Sequence, residues 1–287
     1  MKVLLLGAGG QLGWELARTC PRDVILETCD YPKVDFLVSG SIRDCIKYSS
    51  PDWIINAAAY TAVDQAETDR ETAFRLNHEA VAEIATLAAQ NNMGLVQIST
   101  DYIFSGRHYK PCLPEDKPDP QSVYGFSKFK GEAAIHQVMK DRVLIIRTAW
   151  LYSAHGKNFV KTMLNLMAGQ KDLNVIDEQV GTPTWANGLA LAVWKSLGKN
   201  ILGTHHWTDA GTASWYDFAV AIQEESLALG LIQKPVTITP VSSDQFPTAA
   251  QRPFYSILDK RSMWAATGIA PIHWRAQLRS MLKEMKN

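Results

Sequence analysis

The 287-residue chain carries no net charge, with 29 Lys plus Arg against 29 Asp plus Glu. Without a basic surplus it lacks the electrostatic footprint of a nucleic-acid binder or a polybasic membrane protein. It also lacks a long apolar run. The longest, Leu189 to Trp194, is six residues, far short of the roughly 20 that a membrane helix needs. Val3-Leu4-Leu5-Leu6 near the amino terminus runs straight into Gly7-Ala8-Gly9-Gly10, with no extended apolar core and no small-residue cleavage site. Cysteine is scarce. Cys20, Cys29, Cys45 and Cys112 show no C-x-x-C spacing and no nearby His cluster. They read as indifferent thiols of a reducing compartment rather than a zinc or disulfide set. No repeat or low-complexity segment interrupts the chain. The expectation is a soluble cytoplasmic protein with neither a nucleic-acid nor a membrane partner.

What is present is ordinary globular composition, 46% apolar and 20% charged. A chain of this length buries roughly 75% of its extended surface and needs no metal or disulfide to hold it. Residues 1–150 alternate short apolar runs with amphipathic stretches, the pattern of a doubly wound parallel sheet. Strands are expected at Lys2–Leu6, Val24–Thr28, Trp53–Ile55, Leu95–Ile98 and Val143–Ile146. Helices are expected over Gly10–Cys20 and Glu71–Asn91, where apolar residues recur at helical spacing, and over Tyr124–Met139. Arg107–Pro120, with four prolines, reads as a surface loop. Beyond Trp150 the alternation becomes irregular, with helices expected at Phe159–Met167, Leu189–Leu197, Ser214–Leu229 and Trp274–Glu284. Residues 151–287 therefore read mainly as a smaller mixed α/β lobe over the strand ends, with segments near 177–200 and 250–262 as candidates to return to the first domain.

Two motifs carry chemistry. Glycines at 7, 10 and 13 follow a strand and open a helix, where bare backbone can approach a pyrophosphate at a helix amino terminus. Asp30 ends the second strand, where a carboxylate can accept hydrogen bonds from an adenosine ribose and repel a 2′-phosphate; Lys33 nearby softens that preference. Tyr124-x-x-x-Lys128 opens a helix after a strand ending in Ser99-Thr100, and the i, i+4 spacing puts both side chains on one face. An ammonium close to a phenol lowers the tyrosine pKa toward the range of a working acid or base. His205-His206 lacks an acid or thiol at metal spacing and reads as structural. Trp185, Trp194, Trp207, Trp215, Trp264 and Trp274 read mostly as packing.

Together, Gly-x-x-Gly-x-x-Gly, Asn56-Ala-Ala-Ala, Ser99-Thr100-Asp101-Tyr102 and Tyr124-x-x-x-Lys128 resemble the extended short-chain dehydrogenases/reductases. Within them the chain is most similar to the dTDP-4-dehydrorhamnose reductase family. That narrower resemblance rests on Gly10-Gln11-Leu12-Gly13-Trp14-Glu15-Leu16, the run from Asn56 to Asp64, Ser99 to Phe104, Arg147-Thr-Ala-Trp150, Gly181-Thr-Pro-Thr184 and the run from Arg252 to Asp259. It spans essentially the whole chain.

The resemblance implies an NAD(P)-binding Rossmann domain in residues 1–150 and a substrate-binding lobe in most of 151–287. It implies NADH- or NADPH-dependent reduction of the C4 keto group of a nucleotide-linked 6-deoxy-4-keto sugar, in a monomer or homodimer. Tyr124 would be the proton donor, Lys128 would hold the nicotinamide ribose, and Thr100 would hydrogen-bond the reacting carbonyl. Gly7, Gly10, Gln11 and Leu12 would line the pyrophosphate, Asp30 the ribose, and Asp35 and Phe36 the adenine. Ala59, Tyr60 and Thr61 would border the cofactor; Asp101, Trp150 and Arg252 would meet the nucleotide sugar. Asn77 sits where the superfamily often keeps a proton-relay asparagine, but a backbone-bound helix residue explains it nearly as well. Several family members hold a magnesium ion between subunits through glutamates, one equivalent to Glu15. Asn187 stands where a second glutamate would be expected, so no metal is assigned. A related keto-sugar reductase of a talose or dihydrostreptose branch, and a non-catalytic regulatory subunit of the methionine adenosyltransferase type, share this motif set.

Overall fold

The structure, a computed structural model, describes residues 1–169 and 172–286. Five strands, β1 (Lys2–Leu6), β2 (Ile25–Cys29), β3 (Trp53–Asn56), β4 (Gly94–Thr100) and β5 (Val143–Thr148), form a parallel sheet with a sixth, Gly203–His206. Spatially the order is Gly203–His206, β5, β4, β3, β1, β2. The chain leaves β1 toward one edge and returns at β3 toward the other, so the order reverses between β1 and β3. In open α/β sheets this reversal opens a crevice beyond the carboxyl ends of the strands, where ligands bind.

Continuous apolar strands are what a sheet covered on both faces requires. Successive side chains of β1 go to opposite faces, as the strand pleat dictates. Leu4 and Leu6 join Ile54, Ile84, Leu95 and Ile135 on one side, while Val3 and Leu5 join Leu16, Ile55, Leu189 and Val193 on the other. Val3 to Leu6 are each at most 2% exposed, and burying each such side chain contributes roughly 1.5–3 kcal/mol. The first face is covered by α2 (Ser41–Ser49), α4 (Ala80–Gln90) and α5 (Val123–Val138), and the second by α1 (Gln11–Arg18), α7 (Ala186–Lys199) and α9 (Arg261–Thr267).

The helix expected over Glu71–Asn91 is one run with an interruption. A short α3 (Arg70–Phe74) passes into a π-helical turn, Arg75–Glu79, before α4 begins. Helix α2 and the strand Gly203–His206 are additions to the expected elements. In α2 only Ile42, Ile46 and Ser49 are buried, a stripe too thin to show as periodicity.

A third apolar cluster lies beyond the strand ends. It joins α6 (Phe159–Gly169), α8 (Trp215–Leu229) and α10 (Trp274–Lys286) through Tyr152, Val160, Phe218, Trp274 and Leu278. Beside it, Asp172–Ile176 pairs in parallel with Thr237–Val241. Helix α8 is sharply bounded, by a Ser214/Asp217 capping box at its start and by Gly230 with φ +71° at its end. No helix of the described residues is long and apolar enough to cross a membrane.

Candidate active site

A cavity of about 890 Å³ occupies the crevice where the strand order reverses. One end is the turn after β1. Gly7 adopts φ +80°, and a Cβ there would fall 2.6 Å from the Ala58 backbone nitrogen. A Cβ on Gly13 would fall 2.1 Å from the Gly7 carbonyl oxygen, so only glycine lets α1 come this close to the turn. Gly10 caps α1 without a side-chain partner, and the first turn of α1 carries no acidic residue. The leading N–H groups are therefore left for an anion. Asp30, after β2, accepts the Gly9 N–H at 2.5 Å and the Tyr31 N–H at 2.9 Å.

The other end lies where β4 and α5 meet. Ser122 accepts the Gly125 N–H at 3.1 Å and starts α5 there, which places Tyr124 in the first turn and Lys128 one turn on. Thr100, the last residue of β4, accepts the Tyr102 N–H at 3.2 Å and donates to Asp101 Oδ1 at 3.0 Å. Asp101 is 2% exposed, and its Oδ2 has no hydrogen-bond partner among the described residues. Burial pushes its carboxyl up to about 6, against the opposing pull of the nearby Ser256 and Thr100 hydroxyls.

The expected electrostatics of the tyrosine–lysine pair need correction. Burial pushes the Tyr124 phenol well above its usual range; the Thr100 hydroxyl lowers it, while Asp101 and Tyr102 raise it further. Lys128 is not among the groups acting on it. Its ammonium instead donates to the Ile98 carbonyl at 2.7 Å, and burial pulls the lysine down to about 8, partly offset by Glu132. Spacing on a helix settles which face a long side chain leaves from, and not where its head group ends.

Fifteen of the sixteen residues expected at the site line this one cavity: Gly7, Gly10, Gln11, Leu12, Asp30, Asp35, Phe36, Ala59, Thr61, Thr100, Asp101, Tyr124, Lys128, Trp150 and Arg252. The exception is Tyr60, whose hydroxyl turns away to donate to Asp69 at 3.1 Å. Asn77, in the π-turn, is 1% exposed. It accepts the Tyr60 N–H at 2.9 Å and donates to the Tyr60 carbonyl and the Ser127 hydroxyl at 3.0 Å each. It thus clamps the segment after β3 onto α5, from a π-turn of the kind frequent at functional sites.

Trp150 adopts φ +47°, a left-handed conformation costly for a bulky residue. In that conformation its ring stacks on Trp215, with centroids 3.6 Å apart and planes 6° from parallel. Trp215 lines the same cavity, as do Lys157 and Asn158, and no local motif marks these three. The segment carrying Lys157 is fastened onto the glycine turn: His155 Nε2 meets the Gly9 carbonyl at 2.9 Å, and Asn158 donates to Gln11 at 3.0 Å. Arg252 bonds Asp64 at 2.5 Å and the Tyr102 hydroxyl at 3.1 Å, bringing two distant motifs together.

Glu15 does not fit the family's metal role. Fully buried, its carboxylate accepts hydrogen bonds from Arg18 at 2.5 Å, Ser153 at 3.1 Å and Asn187 at 3.1 Å. A guanidinium and an amide already satisfy it, and Asn187 adds no charge for a divalent ion. Elsewhere, folding gathers His108, Cys112 and Asp116 so that possible ligand atoms lie within 4.8 Å of one another, a cluster that sequence spacing did not suggest. The Cys112 thiol is wholly buried in a small cluster with Ile103, Phe104 and Leu258.

This parallel sheet, with a glycine turn at one end of its crevice and a Tyr-x-x-x-Lys helix at the other, defines an extended short-chain dehydrogenase/reductase. The family model described as "RmlD substrate binding domain" matches residues 1–287. A crystal structure of a dTDP-4-dehydrorhamnose reductase from Clostridium acetobutylicum superposes with a TM-score of 0.93 at 36% identity, covering 100% of both chains. Another, the Bacillus anthracis reductase in complex with NADP, gives 0.91 at 32% identity over 99% of both. The spore coat polysaccharide biosynthesis protein SpsK of Bacillus subtilis is 39% identical over 99% of this chain and 97% of its own. The chain belongs to the dTDP-4-dehydrorhamnose reductase family.

Proposed function

We propose that the protein uses NADH or NADPH to reduce the C4 keto group of a nucleotide-linked 6-deoxy-4-keto sugar, converting dTDP-4-dehydro-L-rhamnose to dTDP-L-rhamnose. The observation that carries this reading is the single cavity joining the glycine turn to Thr100, Asp101, Tyr124 and Lys128. The residues fit a dinucleotide: free N–H groups at the start of α1 suit a pyrophosphate, and the Asp30 carboxylate suits a ribose diol. Residues 1–150 would hold the cofactor and the cluster around α6, α8 and α10 would form the sugar side.

When bound, the reduced nicotinamide supplies a hydride. Tyr124 then gives its phenolic proton to the oxygen on which charge develops, and Thr100 steadies that oxygen by hydrogen bonding. Tyr124 suits a donor, since its raised pKa keeps the proton in place until an alkoxide, a stronger base, appears. Lys128 would turn its ammonium to the nicotinamide ribose. The unpartnered Oδ2 of Asp101 would accept a sugar hydroxyl, and Trp150 with Trp215 would form an apolar wall for the ring. Arg252 would assist at the nucleotide sugar.

The test is cofactor oxidation by the purified protein with enzymatically prepared dTDP-4-keto-6-deoxy sugars, NADH and NADPH being run separately, followed by assignment of the product's C4 configuration. A talose configuration would move the protein to a related branch. Cofactor binding without turnover on any keto sugar would support a regulatory nucleotide-binding subunit instead.

A further inference from the structure

We infer that Cys29 and Cys45 form an oxidation site, closing to an intramolecular disulfide when the protein meets a disulfide or peroxide oxidant. They are 16 residues apart in sequence, a spacing that signals nothing, but β2 and α2 bring them together with the Cys45 thiol donating to the Cys29 sulfur at 2.8 Å. A disulfide bond is about 2.05 Å long, so the sulfurs need to approach by only about 0.8 Å more. Neither remaining cysteine is so placed. The Cys20 thiol meets the carbonyls of Pro21 and Val24, and Cys112 is wholly buried.

Position gives the pair its consequence. Cys29 ends β2, its carbonyl accepts the Gly7 N–H at 3.1 Å, and Asp30 follows directly. The bond would close a ring through residues 30–44, which include Asp30, Tyr31, Asp35, Phe36 and Leu37 along the cavity wall. With a disulfide such as oxidised glutathione, the half-buried Cys45 reacts first. Its thiolate forms a mixed disulfide and releases one glutathione thiolate; the Cys29 thiolate then attacks the Cys45 sulfur and releases the second. Two protons leave the protein, and the two electrons reduce one glutathione disulfide to two thiols. Burial and the adjacent Cys29 sulfur, with Glu27 nearby, push the Cys45 thiol up to about 12, so the reaction should quicken as pH rises.

The site stands apart from the reductase reading, because its readouts are thiols and mass. Full-length reduced protein is treated with oxidised glutathione at mildly alkaline pH. Free thiols in the denatured protein should fall from four to two, intact mass should drop by two hydrogens, and peptide mapping should join Cys29 to Cys45. The oxidised form should melt on the order of 5 °C higher, reversibly with dithiothreitol. Cys45→Ser should lose the mass change, and a Cys20→Ser/Cys112→Ser double variant should keep it. Four surviving thiols, a lasting glutathione adduct, or linkage through Cys20 or Cys112 would overturn the assignment.

Discussion

Replacing Lys128 with methionine should stabilise the cofactor-free protein while disabling it. Lys128 is 5% exposed, and burial lowers its pKa from 10.5 to about 8. At about 1.4 kcal/mol per unit, holding the charged form in the fold at pH 7 costs on the order of 3 kcal/mol. Methionine keeps the apolar stem and removes the charge. The Ile98 carbonyl that loses the ammonium still accepts the Gln97 side-chain amide at 2.8 Å, so no buried acceptor is orphaned. A lysine whose folded pKa lies below its unfolded one binds fewer protons when folded. Wild-type stability contributed by this group therefore rises with pH between about 8 and 10.5. The advantage of Lys128→Met should be largest below pH 8, fade through that window, and vanish above it. Urea unfolding of both proteins from pH 7 to 10 measures the difference directly, since titrations common to both cancel. A variant less stable at pH 7, or a gain indifferent to pH, would refute the account. The same substitution should weaken cofactor binding and slow turnover, because the ammonium would have no other ribose-directed replacement.

Tyr124→Phe should fold and bind cofactor but lose about 10²- to 10⁴-fold in kcat; retention of a third of wild-type turnover would remove Tyr124 from its role. Asp30→Ala should weaken NADH and spare or improve NADPH, shifting their affinity ratio about tenfold, as a lost charge-assisted hydrogen bond of roughly 1.5–3 kcal/mol implies. An unmoved ratio in cofactor titrations would mean that Asp30 serves only the Gly9 and Tyr31 backbone. Exhaustive treatment with a magnesium chelator should leave both activity and melting temperature unchanged, given the Arg18, Ser153 and Asn187 contacts to Glu15; a fall in either would show a metal that those contacts do not explain. Asn77→Ala should lower the melting temperature measurably in calorimetry, since it leaves the half-buried Tyr60 N–H and carbonyl without their partner, at about 1–3 kcal/mol each, while the Ser127 hydroxyl keeps its bond to the Tyr124 carbonyl; an unchanged melt would mean water replaces the amide.

Legibility in the sequence followed how local each signal was. Lys2–Leu6, Trp53–Asn56 and Val143–Thr148 could be read because a strand buried on both faces writes a continuous apolar run. The strand Gly203–His206 could not, since its Gly-Thr-His-His sequence carries no such run, and its place comes from parallel pairing with β5. Helix α5 was legible as the Tyr124–Met139 stretch that opens with the tyrosine–lysine spacing, two residues after the Ser122 that the structure shows capping it. Helix α2, with a two-isoleucine face, did not. At the site, the glycine turn and Thr100-Asp101 were visible because their geometry is made within a few residues. The Arg252–Asp64 bond spans 188 positions, and Trp215 reaches the cavity only through the packing of α8. The pairing of Cys29 with Cys45 was hidden for the same reason: nothing in a 16-residue interval says that a strand end and a helix will meet there.

The stacked Trp150 and Trp215 rings also have an optical consequence. Two indoles 3.6 Å apart and nearly parallel couple their transitions, so the pair contributes to near-ultraviolet circular dichroism out of proportion to its share of the nine tryptophans. Because both rings border the cavity, a sugar laid against them changes that coupling without any label. Trp215→Phe would abolish the coupled signal and keep an aromatic wall. The chain therefore carries its own spectroscopic gauge of occupancy on the sugar side, separable from nicotinamide absorbance, with which candidate nucleotide sugars can be ranked before any turnover is sought.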